Sequence, residues 1–174
     1  MGAGTGRSTL MVLEARPHTF VVALDSFSDE YVRHFGNQGS GKQVPDQGRE
    51  RLLENLKAAG VDGRAAIQAG DMRQMPLESA SFDAVVSAYA IDHLNRDGRT
   101  KALGEASRVL KPGGQFLLMV IAKDLWVKLT WGPLFMHTRL PGRDQWVGFL
   151  RDAGFQLLED GTRPATLYFL ARKP

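Results

Sequence analysis

The chain opens Met1-Gly2-Ala3-Gly4-Thr5-Gly6. Three glycines alternating with small residues let a backbone turn tightly and approach a ligand closely, because no Cβ blocks positive φ or the approach itself. Loops of this kind cradle nucleotides. Asp25 follows Gly6 by 19 residues, at the end of the apolar run Val21-Val22-Ala23-Leu24. A carboxylate there can accept hydrogen bonds from both hydroxyls of a ribose. The dinucleotide fingerprint needs glycines at its first, third and sixth positions, and here the third glycine stands at the fifth, with Arg7 where the last should be. That spacing disfavours a nicotinamide dinucleotide and fits a loop against a smaller adenosyl ligand. The same residues would also serve as a tight turn, and Asp25 as a helix cap or turn residue.

These residues need elements to hold them, and the pattern supplies strands alternating with helices. The continuous apolar run Val21–Leu24 reads as a strand buried on both faces, and Arg64–Ala69, Phe82–Ala88 and Gln115–Ala122 read as further strands. Between them, Leu10 to Leu13 continue the glycine loop as a helix that Ser8 and Thr9 can cap. Leu52, Leu53 and Leu56 give Arg49–Ala59 an apolar face before Gly60, and Thr100–Leu110 is stopped by Lys111-Pro112-Gly113-Gly114. Arg143–Ala153 forms a last helix ended by Gly154. Strands Phe155–Glu159 and Thr166–Ala171 follow as a pair that can be antiparallel. This alternation predicts βαβ units and a doubly wound, mainly parallel sheet in a single domain of 174 residues. Residues 26–46, rich in Ser, Gly, Gln and Asp, read as a mobile loop.

Composition narrows the function. Lys and Arg number 22 against 19 acids and form no run, so no nucleic-acid footprint is expected. The absence of cysteine excludes disulfides and thiolate metal sites and fits a cytoplasmic location. No set of His18, His34, His93 and His137 with acids has metal-ligand spacing. The apolar runs are too short to span a bilayer, and no stable membrane insertion is expected.

With these residues in view, the chain resembles the class I S-adenosylmethionine-dependent methyltransferases, in the subgroup that modifies small molecules. The matching strings are Gly2-Ala3-Gly4-Thr5-Gly6, Val22-Ala23-Leu24-Asp25, Gly70-Asp71-Met72, Phe82-Asp83-Ala84-Val85-Val86-Ser87 and Glu105-Ala106-Ser107-Arg108-Val109-Leu110-Lys111-Pro112-Gly113-Gly114. They cover nearly the whole chain in order, and the last is the most specific. The resemblance implies a Rossmann-like α/β fold and S-adenosyl-L-methionine as cofactor. Residues 2 to 6 would lie along its methionine part, and Asp25 with Ser26 would hold the ribose. Gly70 and Asp71 would meet the adenine, with Met72 packing on its ring. Ala88 and Tyr89 would line the cofactor, and Tyr89, Asp92 or His93 would face a small-molecule acceptor. Histidine is the side chain whose charge changes near neutrality, so His93 could serve as a base. Methyl transfer from a sulfonium nonetheless depends mainly on positioning and desolvation. Trp126, Trp131, Phe135, Met136 and Trp146 read either as an aromatic cover over a hydrophobic acceptor or as packing on the sheet.

Family members carry a strand ending in an acid just before the glycine loop, in the middle of the sheet. The resemblance therefore implies that this strand belongs upstream of Met1. Without it the chain forfeits several apolar side chains worth about 1.5–3 kcal/mol each, which is comparable with a total stability of about 5–15 kcal/mol. A late start, a fragment, or a short form whose flanking strands pair differently would each account for this. Two other functions stay open: a methyltransferase-fold protein that binds little cofactor, and a nicotinamide-dependent oxidoreductase. The glycine spacing and the lack of a Tyr-x-x-x-Lys pair speak against the second.

Overall fold

The structure is a computed structural model and describes residues 1–27, 47–122 and 140–174. Most of the expected mobile loop and most of the aromatic cover fall outside those residues. Two compact units divide the chain, Met1–Met72 and Arg73–Pro174. Each has its own sheet.

In the first unit, helix α1 (Arg7–Ala15) follows the glycine loop and leads into strand β1 (Val21–Asp25). Helix α2 (Gln47–Ala58) and a single 3-10 turn, Asp62–Arg64, precede β2 (Ala65–Ala69). Strands β1 and β2 pair in parallel, Val21 with Ala65 through Asp25 with Ala69. Their carboxyl ends are thereby adjacent. Leu13, Ala23, Leu52 and Leu56 form the buried core, with Leu10, Val21, Phe27 and Ile67 packed around it. The end of α1 carries no basic residue of its own. Arg64 compensates, because its guanidinium donates to the carbonyls of Leu13, Arg16 and Pro17 at 2.9–3.3 Å. The Leu13 carbonyl is one of those that a helix end leaves without an intrahelical partner.

The second unit is built on a four-stranded sheet ordered β3-β4-β6-β5. Strand β3 (Phe82–Ala88) runs parallel to β4 (Leu110–Ile121), and β4, β6 (Thr166–Arg172) and β5 (Gln156–Arg163) are antiparallel neighbours. Helices α3 (Arg96–Val109) and α4 (Arg143–Asp152) complete it. Phe116, Leu118 and Val120 alternate along the buried face of β4, and Phe116 stacks on Phe155 with ring centroids 5.2 Å apart. The α/β, Rossmann-like class expected from the sequence is present, and so is the antiparallel C-terminal pair. Its strands fall into two sheets, of two and four strands.

Two local expectations are corrected. Helix α1 begins at Gly6, which adopts φ 97°, and no side chain caps it, so Ser8 and Thr9 lie inside the helix. Helix α3 starts at Arg96 rather than Thr100, because the Asn95 side chain accepts from the Gly98 amide at 2.8 Å. An Asx cap of this kind satisfies one of the first-turn donors.

The Glu105-to-Gly114 string has a physical explanation in this unit. Arg108 donates to both Glu105 oxygens at 2.6 and 2.8 Å, to the Leu77 and Met75 carbonyls at 2.8 and 3.1 Å, and to Ser79 Oγ at 3.1 Å. Glu105 also accepts from the Met75 amide at 2.6 Å. One ion pair thus clamps residues 75–79 onto α3. At the helix exit, a Cβ on Gly114 would meet the Lys111 carbonyl at 2.9 Å and the Asp83 carbonyl at 3.2 Å, which requires glycine. A groove of about 530 Å³ lined by Gln74, Met75, Pro76 and Leu77 lies beside the clamp.

The clamp predicts an acid-sensitive increment of stability. Glu105 is held below its ordinary value of 4.5, first by the Arg108 hydrogen bond. A depressed carboxylate stabilises the fold above its unfolded value, and that contribution disappears as pH falls through the lower folded value. Arg108→Ala is expected to lose about 1–3 kcal/mol at neutral pH, at the lower end because the arginine is partly exposed. Its deficit relative to the parent should narrow below about pH 4, as read from urea midpoints across pH. A deficit constant down to pH 2 would show that the ion pair is not its source.

Candidate functional site

The glycine loop is shaped by backbone torsion and then tied on two sides. Gly2, Gly4 and Gly6 take φ of 69°, 51° and 97°, all in the left-handed region. Ala3 donates to the Leu24 carbonyl at 3.1 Å, and Gly6 donates to the Ala3 carbonyl at 2.9 Å, closing a turn. The Gly4 amide donates to Asp25 Oδ2 at 2.8 Å, while the Phe27 amide donates to Asp25 Oδ1 at 3.1 Å. Asp25 is therefore no free surface acid. Both oxygens are thus engaged by backbone amides. From the other side, Asn55 Nδ2 donates to the Thr5 carbonyl at 2.8 Å, and Leu52 packs beneath Gly6.

Asp71 follows the end of β2, whose last residue, Ala69, pairs with Asp25, and the Gly70 amide donates to the Asp25 carbonyl at 2.9 Å. The unit thus gathers Gly2, Ala3, Gly4, Thr5, Gly6, Asp25, Ser26, Gly70, Asp71 and Met72 at one end of a parallel pair. Brought together there are a glycine loop, an uncapped helix start whose first amides lack intrahelical acceptors, and two carboxylates. Ligands in open parallel sheets bind at that carboxyl end.

Ala88, Tyr89, Asp92 and His93 belong to the second unit, at the carboxyl end of β3. Tyr89 takes φ 53°, an uncommon conformation for a bulky residue. Its phenol reaches the Thr166 hydroxyl at 2.7 Å. Because β4 lies between β3 and β6, the ring must cross the end of β4. Tyr89 remains 41% exposed.

Asp92 stands otherwise than expected: it is 3% exposed, and Oδ2 accepts from the Ile121 amide at 3.2 Å. Arg99 donates to its backbone carbonyl at 2.8 Å and lies over the Trp146 ring at 5.5 Å. This places Asp92 among structural contacts that tie three segments together. His93 ends the 3-10 turn Ile91–His93 and is exposed. Trp146 has no exposed surface and packs edge-on to Phe149, so it is core rather than cover. Among the described residues no cluster of three or more acids and histidines could hold a metal, and no helix is long and apolar enough to cross a membrane.

Asn55, Leu52 and Thr166 were not singled out by sequence. Leu52 carried an apolar-face signal, but nothing marks an exposed asparagine as a loop tether or a strand-start threonine as a partner for Tyr89.

A parallel α/β arrangement with this loop and these strand-end acids defines a methyltransferase fold. The chain belongs to the class I S-adenosylmethionine-dependent methyltransferase family, whose model described as "Methyltransferase domain" matches residues 1–118. It is 32% identical over 146 residues to the ubiquinone/menaquinone biosynthesis C-methyltransferase UbiE of Methylobacterium nodulans, covering 83% of this chain and 44% of that protein. An O-methyltransferase of Pyrenophora dematioidea is 31% identical over 164 residues, covering 91% of this chain and 54% of its own length. The chain thus spans about half the length of these relatives. The [4+2]-cyclase SpnF superposes with a TM-score of 0.73 at 18% identity, over 99% of this chain and 72% of that one. That likeness concerns the fold alone.

Proposed function

We propose that the chain binds S-adenosyl-L-methionine and transfers its methyl group to a small-molecule acceptor. The observation that carries this reading is the glycine loop locked to Asp25 through the Gly4 amide at 2.8 Å, with Asp71 two residues beyond Ala69, the partner of Asp25 on the adjacent parallel strand. The residues fit the cofactor: three left-handed glycines put no Cβ in the path of the loop, and the Asp25 carboxylate is of the type that accepts from a ribose diol. Asp71 offers an acceptor for an exocyclic amine, and Met72 a polarizable surface for a flat ring. When bound, this cofactor supplies a methyl group on a sulfonium, open to in-line displacement.

The protein's own part is then to position and to exclude water. Loop residues 2–6 fix the methionine end, and the two carboxylates fix the nucleoside end. Tyr89, held by Thr166, presents a ring face at the carboxyl end of β3 to an acceptor. Acceptors of hydrophobic or aromatic character suit such a surface. No strong base is required where positioning lowers the barrier.

Isothermal titration with S-adenosylhomocysteine tests the reading. Saturable one-site binding at micromolar to low millimolar concentration is expected, together with a rise in melting temperature on ligand addition. No heat and no melting shift at millimolar ligand, with NADH binding instead, would overturn it in favour of the oxidoreductase reading. A separate assay supplies labelled S-adenosylmethionine with quinol, phenol and carboxylic acid acceptors.

A further inference from the structure

Helix α2 does more than fill the core of the first unit, because it reaches the ligand-facing loop with one polar side chain. Of the loop carbonyls, that of Thr5 accepts a side-chain hydrogen bond, from Asn55 Nδ2 at 2.8 Å across 50 residues of sequence. One turn earlier on the same helix, Leu52 Cδ1 occupies the space that a Cβ on Gly6 would need. Leu52 sets the height of the Thr5–Gly6 peptide, and Asn55 sets its rotation. That peptide carries the Gly6 amide, which closes the turn on the Ala3 carbonyl, and leads through the N-cap Gly6 into α1, so its orientation fixes where the first-turn amides of the helix point. Asn55 is exposed and sits where a charged residue would serve solubility equally well.

We infer that Asn55 is a positioning residue of the adenosylmethionine loop, acting through the Thr5 carbonyl rather than by touching ligand. The inference rests on the proposed function, and the experiment separates the two. Asn55→Asp keeps the shape but replaces the donor with an acceptor facing a carbonyl; Asn55→Ala removes the group; Asn55→Gln keeps a donor. Glu54→Gln, on the exposed surface of the same helix, serves as control.

Two readouts are taken on the 174-residue chain: S-adenosylhomocysteine affinity by calorimetry, and hydrogen exchange of the residue 4–6 amides without ligand. The Asp and Ala variants should bind about 3- to 10-fold more weakly and exchange faster at the loop. Their ligand-free melting temperatures should stay within about 2 °C of the parent, since little surface is buried at this site. The Gln variant should recover part of the affinity, and the control should match the parent. A parent that binds while both donor-less variants bind equally well overturns the inference and leaves the functional reading standing. A parent that does not bind overturns the functional reading, and this inference with it.

Discussion

Asp25→Ala is expected to weaken S-adenosylhomocysteine binding by at least about 30-fold, because two effects act together. The carboxylate would make charge-assisted hydrogen bonds to a ribose diol, each worth about 1.5–3 kcal/mol, and a tenfold loss corresponds to about 1.4 kcal/mol. The same side chain also accepts from the Gly4 and Phe27 amides. Its removal therefore releases the loop as well as the ligand. Asn separates these contributions poorly by design: its amide group must face one of the two backbone donors, so Asp25→Asn should behave more like Ala than its shape suggests. Calorimetry on both variants, with melting curves to confirm folding, checks this. Binding within threefold of the parent in Asp25→Ala would remove Asp25 from the site.

Asp71→Asn is the milder comparison. An amide oxygen can still accept from an exocyclic amine, so only the charge-assisted part of the interaction is lost. The order Asp25→Ala, then Asp25→Asn, then Asp71→Asn is the signature of a site in which one carboxylate both shapes and binds.

Much of this arrangement is legible in the residues, for reasons that differ by element. Strand β3 is bounded by turn residues on one side and a broken apolar pattern on the other, so its limits, Phe82–Ala88, agree with the sequence reading. The glycine loop and its two acids are also readable, because strand ends in parallel sheets place acids by chain position alone. Helix α3 is not readable to its true start. Arg96-Asp97-Gly98 has turn composition, and only the Asn95 side chain bonding to Gly98 converts it to a first helical turn. Strand β4 begins at Leu110, within the string expected only to stop the helix, because Gly113 and Gly114 bond Lys173 at the end of the chain. Asp92 shows a further limit. Its position after β3 suggests an acceptor-facing acid, yet burial against Arg99 and the Ile121 amide follows from packing that no local pattern records. The Tyr89–Thr166 contact joins residues 77 apart and depends on a positive φ, which an aromatic side chain gives no reason to expect.

Gly6→Ala should destabilise the first unit through its backbone and its packing together. A Cβ at this position would clash with Leu52 Cδ1, and φ is 97°. A left-handed backbone costs an L-residue about 1–2 kcal/mol, and overpacking a core adds about 1–3 kcal/mol. The sum, about 2–5 kcal/mol, is a large share of the roughly 5–15 kcal/mol that holds a domain together. The two terms can be separated. Gly60 has φ 66° with nothing within 4 Å of a built Cβ, so Gly60→Ala reports the backbone term alone, at about 1 kcal/mol. Gly104 lies in helix α3 with open space around it, so Gly104→Ala should be neutral or gain up to about 1 kcal/mol. The steric term is isolated by pairing Gly6→Ala with Leu52→Val, which removes the clashing Cδ1. The double variant should lose less stability than the sum of the single changes, by about 1–2 kcal/mol, in urea unfolding of all four proteins. Strict additivity would mean that Leu52 does not support the loop. The Thr5–Gly6 peptide would then rest on Asn55 and Asp25 alone, and the binding losses of their variants should exceed the ranges given above.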